Sequence, residues 1–426
     1  MKVQKYIFSI PAFLLFAFIY CIPAAHSGGM ALYEVGPTQT GLASAGFAAR
    51  ADDASTLFTN PAGMTRLKRS ELLAGIQPLY TNLAFSPDSR TTTTGNDGNS
   101  RNWLPTGNMY YVHNVSPDFK LGMGVIGYFG LSLDYGDTWV GRYYVKDASL
   151  QGITFQPSAA YKVTEKLSVG IGLNAMYGML EQKVAVNSVL DRRPDGELEV
   201  SDNTWGFGAN IGILYELNKN TRFGINYLSE VELDFKPRTS LTGIGPLLAG
   251  ILASRGLTDR SIDMTMKVPQ MVMAGFFHQV NDRWAIMGDV GWQEWSKFGK
   301  VDVSIDSNDP KSLTTDLNYK DTWHFALGAQ YQVSDPLLIF FGAAYDTSPV
   351  NSADMTVTMP MGETYRFGTG AQYKWNQNLS FDFAYELVWM GTLKVDQFRG
   401  PLAGRLAGEY KNASIHAIQA AVRYQF

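Results

Sequence analysis

Long stretches of this sequence alternate between apolar residues and small or polar residues with a period of two. In Trp205–Leu217, every odd position is apolar, and most even positions are glycine, asparagine or glutamate. The same alternation recurs in 167–178, 323–333 and 365–375. A period of two is typical of β-strands with two different faces. Aromatic residues often stand at the ends of these stretches, where the girdles of membrane barrels lie.

The N-terminus has the features of a cleavable export signal. A short basic stretch, Met1–Lys5, precedes an apolar run over 6–22, and Ala25–Ser27 has the small-x-small pattern of a cleavage site before Gly28. We therefore expect residues 1–27 to be a signal peptide. The alternative is a membrane anchor, since the apolar run is long.

Composition narrows the class of protein further. The formal net charge of −4 excludes the basic surface that nucleic acids require, and an apolar content of 45% excludes a disordered chain. The only cysteine, Cys21, lies in the leader, so the mature chain has no disulfide or thiolate site. Beyond the leader, no run of about 18 apolar residues predicts a membrane-spanning helix. An exported, aromatic-rich chain of this kind favours a transmembrane β-barrel.

Tight polar turns give the number of strands. Six are found, at 116–118, 164–166, 218–220, 281–282, 334–336 and 376–378. Longer connections alternate with these tight turns, for example at 129–149, 237–261 and 306–320. The pattern predicts an all-β transmembrane barrel of about 14 antiparallel strands, with short turns at one end and longer loops at the other. The last strand runs to Phe426, as in the outer-membrane assembly signal.

The segment before the first strand, residues 28–69, does not alternate. Asn60 can cap a helix that begins at Pro61. A barrel of about 14 strands is too wide for its own side chains to fill. We therefore expect 28–69 to be a partly helical hatch (plug) inside the lumen of a barrel formed by 70–426. A flexible periplasmic tail is the alternative.

Motifs along nearly the whole mature chain resemble the FadL/TodX family of outer-membrane transporters for long-chain fatty acids and other hydrophobic compounds. They are Ala51-Asp52-Asp53-Ala54, Asn60-Pro61-Ala62, Trp205-Gly206-Phe207-Gly208, Gly212–Leu217, Tyr227, Ser229-Glu230-Val231, Asp234-Phe235-Lys236, Trp295-Ser296-Lys297-Phe298, Asp346 and Ser348-Pro349-Val350. The resemblance implies the same strand number and a hatch in the lumen, whose motif residues are Asp52, Asp53, Asn60, Pro61 and Ala62.

The resemblance also implies an inward kink in the third strand that opens the barrel wall laterally. That strand lies near Leu121–Phe129. Its glycines permit a kink or bulge, and they equally suit an ordinary strand packed against a plug. The candidate gating or ligand-binding residues here are Gly127, Tyr128, Phe129 and Gly130.

The loops depart from the family pattern in one place and match it in another. The loop between strands five and six, which can be long and helical in the family, shrinks here to 190–197. The loop between strands seven and eight keeps an apolar stretch, 244–253, that suits a short helix. Its exposed apolar face would receive a hydrophobic substrate or pack on the barrel rim. The candidate residues are Leu247, Leu248, Ile251 and Leu252.

Basic residues that meet a fatty-acid carboxylate in the family do not align clearly here. Lys183 and Lys300 lie near the expected places, but not plainly in register. A neutral hydrocarbon or aromatic substrate is therefore an alternative to a fatty acid.

No catalytic or metal site is predicted. The four histidines of the mature chain are scattered and lack metal-ligand spacing, and no cofactor is expected. The ionisable residues on lumen-facing positions are interpreted as plug-to-wall contacts: Arg366, Lys374, Asp382, Glu386 and Arg423.

The sequence thus predicts a non-enzymatic, monomeric protein of the Gram-negative outer membrane for passive uptake of hydrophobic molecules. The transported molecule would bind in an internal pocket and then leave laterally through the kinked strand. Its expected partners are a hydrophobic small molecule, membrane lipid and lipopolysaccharide, and the barrel-assembly machinery, with no nucleic acid. The alternatives are a general porin and an outer-membrane lipase or protease.

Overall fold

The computed structural model describes residues 32–247, 249–250, 262–298, 300–305 and 311–426. The predicted signal peptide lies outside these ranges. So do three of the four candidate residues of the apolar loop, Leu248, Ile251 and Leu252.

The described chain is built mainly of strands. Within the described ranges there are twenty: β1 (Glu71–Pro87), β2 (Gly98–Ser100), β3 (Trp103–Asn114), β4 (Phe119–Asp134), β5 (Asp147–Lys162), β6 (Leu167–Val186), β7 (Gly196–Glu216), β8 (Thr221–Leu228), β9 (Val231–Phe235), β10 (Arg238–Thr242), β11 (Ile262–Val268), β12 (Met271–Gln279), β13 (Trp284–Gln293), β14 (Lys300–Ile305), β15 (Lys311–Asp316), β16 (Thr322–Ser334), β17 (Leu337–Asp346), β18 (Thr364–Lys374), β19 (Leu379–Phe398) and β20 (Arg405–Gln425).

Fourteen of these strands form one closed antiparallel barrel, as the turn pattern predicts. The barrel consists of β1, β3–β8, β12, β13 and β16–β20. It closes where the first strand, β1, pairs with the last, β20. Each of the six predicted tight turns joins two neighbouring barrel strands. The predicted strand number is therefore confirmed. It could be predicted because turn residues and strand alternation are both signals of the local sequence.

The outer wall of the barrel is apolar. Phe207 and Leu327 are exposed to 72% and 68%, while the glycine between two outward side chains, Gly206, is buried. Large apolar side chains exposed in this way would be unfavourable in water, but they suit contact with lipid.

The long connections contain structure that the sequence analysis did not predict. The predicted loop at 237–261 includes β10, which pairs with an extension of β7. The predicted loop at 306–320 includes β15, the edge of a four-stranded sheet of β9, β11, β14 and β15. These strands are five to seven residues long. Such short alternating segments are hard to distinguish from loops by pattern alone.

Helices are few and short. The α-helices described from end to end are α1 (Pro37–Gly41), α2 (Thr56–Thr59) and α3 (Trp295–Phe298), and two 3₁₀ helices cover Pro61–Arg66 and Val189–Asp191. Residues 246–247 and 249–250 are also helical. None of the helices in the described ranges is long and apolar enough to cross a membrane.

The segment that precedes β1 crosses the inside of the barrel. We call its described part, 32–69, the hatch. Its helix α1 packs against β17–β20, whereas its 3₁₀ helix packs against β4–β7 on the opposite side. Every residue from 33 to 64 except Asp52 is buried. The hatch therefore lies between walls that face each other across the lumen.

Candidate functional site

Backbone groups of the hatch bind a wall carboxylate. Asp289 on β13 accepts hydrogen bonds from three successive amides, those of Gly46, Phe47 and Ala48, the last two at 3.1 and 3.0 Å. All of these groups are buried. Three amides converging on one carboxylate form a nest for an anion. This contact fixes the middle of the hatch to the wall.

Asn60 begins the 3₁₀ helix of the hatch, as the sequence predicts. Its Oδ1 accepts a hydrogen bond from the Ala62 amide at 3.1 Å, and Pro61 takes the first helical position. Its Nδ2 donates to the carbonyl oxygens of Ala48 at 2.7 Å and Ile213 at 3.0 Å. A β-carbon on Gly212 would lie 2.0 Å from Asn60 Oδ1. The Asn-Pro-Ala motif thus requires glycine on the facing strand.

The two aspartates of the hatch motif form ion pairs with the wall. Asp52 Oδ1 lies 2.9 Å from Arg222, and Asp53 Oδ2 lies 3.2 Å from Arg423 and 3.1 Å from Arg50. Burial by itself would raise the pKa of Asp53. Arg423 and Arg50 outweigh that effect and, with hydrogen bonds from Ser55, lower the pKa from 3.8 to about 2. Asp53 is therefore ionised whenever the hatch is docked near neutral pH.

A cavity of about 90 Å³ lies between the hatch and the end of the barrel that carries the long connections. We call it the lumen cavity. Its apolar lining includes Leu32, Leu79, Met361, Val388, Met390 and Ile415. The first three described residues of the hatch, 32–34, form part of its wall. The cavity is therefore bounded on one side by a segment that the barrel strands do not hold in a sheet.

One side of the lumen cavity is charged. Arg366 on β18 donates from Nε to Asp346 Oδ2 at 2.6 Å and from a terminal nitrogen to Glu34 of the hatch. A third carboxylate, Glu386, lies 3.6 Å from the same guanidinium. His324 Nδ1 lies 2.5 Å from Asp346 Oδ1. The cluster links the hatch to the strands around one permanent cation.

The third barrel strand, β4, separates from its neighbour partway along. β3 and β4 pair as far as Asn108 and Ile126, and in the described ranges the rest of β4 pairs with β5 alone. The register with β5 shifts between Ile126 and Phe129, which marks a bulge. Residues 128–133 are all buried, so the alternation of the strand stops there. This is the geometry that an inward kink requires.

The predicted residues Gly127, Tyr128, Phe129 and Gly130 all lie at this bulge. A β-carbon on Gly127 would meet no atom of the described residues within 4 Å, so these residues leave space beside the strand. The Tyr128 ring packs against the ring of Phe58 in the hatch, with centroids 4.9 Å apart. The role of these four residues in gating stays a prediction.

The hatch joins the lumen cavity to the bulge. The amide of Leu32 donates a hydrogen bond of 2.8 Å to the carbonyl oxygen of Tyr128. Two residues later, Glu34 binds Arg366. A three-residue segment therefore contacts both the charged side of the cavity and the kinked strand.

The other predicted residues lie elsewhere. Leu247 is 53% exposed in a helical stretch, and its amide donates to Asp191 Oδ1 at 3.1 Å. Lys183 lies 2.9 Å from Glu181 and is not among the residues lining the lumen cavity. Lys300 is an exposed residue at the start of β14 and does not line it either. A role of either lysine in meeting a carboxylate stays a prediction.

Arg366 and Glu386 are predicted from sequence as plug-to-wall contacts, but the position of Arg366 beside a cavity is not predicted. The available signal is a charged residue at a lumen-facing position of an alternating strand, as in Tyr365-Arg366-Phe367. Glu34 carries no such signal, because the hatch does not alternate. In the described ranges, no group of three or more His, Cys, Asp or Glu residues has the geometry of a metal site.

A closed barrel of fourteen strands with a lumen crossed by an N-terminal hatch defines an outer-membrane transport barrel. Comparison with known proteins agrees. The chain belongs to the family described as "Outer membrane protein transport protein (OMPP1/FadL/TodX)", which matches residues 20–426. It is therefore a protein of the outer membrane.

Individual relatives cover most of the chain. It is 28% identical over 395 residues to the "Long-chain fatty acid transport protein" of Salmonella typhi, a match that spans 88% of this chain and 90% of the relative. A Pseudomonas aeruginosa FadL homologue of known structure shares the fold with a TM-score of 0.82 and 20% identity, covering 95% of this chain and all of that one. The Ralstonia pickettii toluene transporter TbuX has a TM-score of 0.68 and 18% identity, covering 93% and 99%.

Proposed function

We propose that this protein carries hydrophobic molecules passively through the outer membrane by way of the lumen cavity and the bulge of β4. The observation that supports this most directly is the hydrogen bond between Leu32, which lines the cavity, and Tyr128, which lies at the bulge. A molecule in the cavity is separated from the bulge by a short segment of the hatch. Outer-membrane barrels keep their short turns in the periplasm, so the cavity faces the outside.

The route has three steps. A hydrophobic molecule is captured at the outer end, where Leu247 exposes its side chain. It then enters the lumen cavity, where each buried CH₂ group contributes about 0.8 kcal/mol to binding. It leaves sideways where β3 and β4 cease to pair beyond Asn108 and Ile126. Lateral release spares an apolar molecule from crossing a polar lumen.

The barrel interior favours a transporter over a general porin. Residues 33–64 are buried across the lumen, apart from Asp52, and the cavity beside Arg366 has a volume of only about 90 Å³. An open porin of this width would hold water throughout. We extend the proposal to a monomer that meets membrane lipid, lipopolysaccharide and the assembly machinery, and that catalyses no reaction.

The relative from Salmonella typhi is named for long-chain fatty acids. We propose the same broad class here, with neutral hydrocarbons as the alternative. The test is uptake of radiolabelled oleate and of toluene by cells that lack their own transporter for either compound. Cells expressing this chain should accumulate at least one of them faster than cells with an empty vector.

Two further measurements separate the rival functions. The purified barrel should show little steady conductance in a planar bilayer, and a variant lacking Gly28–Met64 should conduct strongly once heat-modifiable gel mobility shows that it has folded. Ester and peptide substrates should stay intact. Steady porin-like conductance of the intact protein with no uptake would overturn the proposal. Hydrolysis of the ester or peptide substrates would favour the alternative of an outer-membrane lipase or protease.

A further inference from the structure

A β-bulge lies in β20 toward the end of the barrel that carries the long connections. Between Tyr410 and Ser414, the register of β20 shifts against both of its neighbours, β1 and β19. Asn412, at the bulge, has a φ of 52°. Lys411 and Asn412 are consecutive and both exposed, whereas a regular strand turns successive side chains to opposite faces. The bulge therefore places two neighbouring polar side chains on the outside of the wall.

Arg101, which precedes β3, is held against this bulge. Its Nε donates a hydrogen bond of 2.8 Å to Asn82 Oδ1, and Asn82 Nδ2 donates one of 3.2 Å to the carbonyl oxygen of Asn412. Arg101 is exposed, and among the described residues its two terminal nitrogens have no hydrogen-bond partner and it forms no ion pair. The guanidinium is therefore fixed in place with its fork free to bind an anion.

Two lysines lie on the same outer face as Arg101. Lys394 on β19 is exposed and stands opposite Glu409 of β20 in the register of the two strands. The Lys411 side chain is 68% exposed, and its Nζ lies 3.5 Å from Glu409 Oε1. We call Arg101, Lys394 and Lys411 the basic patch. Its three cations share a single carboxylate, so positive charge is in excess.

The other acidic residues at this end of β1 and β19 do not neutralise the basic patch. Asp396 on β19 lies 2.7 Å from both Arg90 and Arg405. Asp88, which follows β1, lies 2.6 Å from Arg90. These two aspartates and two arginines balance each other. The excess of positive charge on the basic patch therefore remains available to a partner.

Two other charged clusters at this end of the barrel have the opposite sign. Lys183 lies 2.9 Å from Glu181 and 3.9 Å from Glu199. Lys267 and Lys297 lie within 3.7 Å of three carboxylates, those of Glu230, Glu232 and Glu294. Carboxylates outnumber lysines in both clusters. An anionic partner is therefore attracted to the side of the barrel formed by β19, β20 and β1 rather than to these clusters.

An aromatic cluster lies on the outer wall, on the membrane side of the basic patch. The Trp103 side chain is 55% exposed, and its ring centroid lies 5.0 Å from that of Tyr80. The Tyr80 centroid lies 6.0 Å from that of His416, whose Nδ1 is 2.8 Å from the Tyr385 hydroxyl. Tryptophan and tyrosine collect at the level of the lipid headgroups. The basic patch therefore lies at the headgroup level of the outer leaflet.

We propose that the basic patch binds the phosphate groups of lipopolysaccharide, the phosphorylated glycolipid of the outer leaflet, and that acyl chains of the same molecule lie along the aromatic cluster. The fork of Arg101 matches the geometry of phosphate, and Lys394 and Lys411 add point charges. The inference rests on the part of the proposed function that places lipopolysaccharide around the barrel, and not on the transport route.

The main experiment measures binding of lipid A, the phosphorylated anchor of lipopolysaccharide, to the purified full-length protein in detergent by native mass spectrometry. EDTA is present, so that no divalent cation bridges a phosphate to a carboxylate. Lipid A with both phosphates should bind at least about tenfold more tightly than lipid A from which both have been removed. Lys394→Gln and Lys411→Gln together should weaken the phosphorylated form about twentyfold, and the dephosphorylated form by less than about twofold.

A matched control removes two lysines from a cluster in which carboxylates are in excess. Lys267→Gln and Lys297→Gln together delete the same charge from the same residue type at the same end of the barrel. Affinity for phosphorylated lipid A should stay within about twofold of that of the unmodified protein. Glu409→Gln tests the site in the other direction, because it removes the carboxylate that competes with phosphate for the lysines. Affinity should then rise about fivefold, an effect that a misfolded variant does not produce.

The outcomes separate this inference from the proposed function. Equal binding of the two forms of lipid A, or an equal effect of the two double variants, would overturn the site. Phosphatidylglycerol is the third probe, and binding as tight as that of lipid A with the same dependence on Lys394 and Lys411 would overturn the assignment to lipopolysaccharide. Uptake of labelled oleate and toluene by cells expressing the Lys394 and Lys411 double variant should equal that of the unmodified protein, so a failure of transport is seen independently.

Discussion

The amide of Leu32 donates a 2.8 Å hydrogen bond to the carbonyl oxygen of Tyr128, so the start of the described hatch is held by the bulged part of β4. The pairing of β3 with β4 ends two residues earlier, at Ile126. The hatch is therefore bonded to β4 just beyond the point where β3 and β4 cease to pair. Four predictions test how this arrangement works.

The space beside Gly127 should be required for release. No atom in the described part of the chain lies within 4 Å of the position of a β-carbon there, so alanine should be accepted without loss of fold or uptake. Gly127→Val and Gly127→Phe should lower uptake of labelled substrate progressively, because the side chain fills the gap next to the bulge. Heat-modifiable gel mobility checks folding. Full uptake by a folded phenylalanine variant would show that the molecule leaves elsewhere.

Asp289 should hold the middle of the hatch in place. Asp289→Leu leaves the amides of Gly46, Phe47 and Ala48 without their buried acceptor. Each unsatisfied group costs about 1 kcal/mol or more, so local opening should become easier by at least about 3 kcal/mol. Hydrogen exchange at these three amides should accelerate about a hundredfold. Asp282→Asn, in an exposed turn, is the control and should leave their exchange unchanged.

Hatch docking should weaken in acid because of Asp53. Its pKa is lowered from 3.8 to about 2, so its contribution to the free energy of unfolding is complete above about pH 4 and is lost as the pH falls toward 2. The shift corresponds to about 2 kcal/mol. Hydrogen exchange of the hatch should therefore rise over this range. Asp53→Asn should remove this part of the pH dependence, and an unchanged profile in the variant would contradict the assignment.

Leu247 should affect capture rather than binding in the cavity. Its side chain is 53% exposed at the end of the barrel with long connections. Leu247→Asp should slow the initial rate of uptake at low substrate concentration, since an apolar molecule loses its first contact surface. Affinity of the purified protein should not change. Leu402→Asp, at an exposed leucine on another connection, serves as the matched variant, and an equal effect there would show that any added charge on these connections slows uptake.

The fold could be predicted from sequence because its signals are local. Alternation in stretches such as Trp205–Leu217 identifies a two-faced strand, and each tight turn is marked by its own residues. Asn60 and Pro61 likewise give the start of the 3₁₀ helix. The strands β10 and β15 lie in stretches that the sequence predicts as loops, because five or six residues carry too little periodicity to identify a strand.

The candidate site could not be predicted in the same way. Glu34 and Arg366 stand 332 residues apart, and only the closure of the barrel around the hatch brings them together. Nothing in the sequence near Glu34 indicates a partner. The bulge at Gly127–Gly130 could be proposed from its glycines, but the end of pairing at Ile126 depends on how β3 and β4 diverge in three dimensions.

The contact between Asp53 and Arg423 has a consequence for the order in which this chain is assembled. Arg423 lies on β20, so Asp53 gains this partner only when the last barrel strand is in place. The same strand closes the ring against β1, whose Glu71 accepts a hydrogen bond from the hatch amide of Ala54 at 2.7 Å. Closure of the ring brings Arg423 to within 3.8 Å of Glu71, so the step that completes the wall also completes this part of the surface on which the hatch docks.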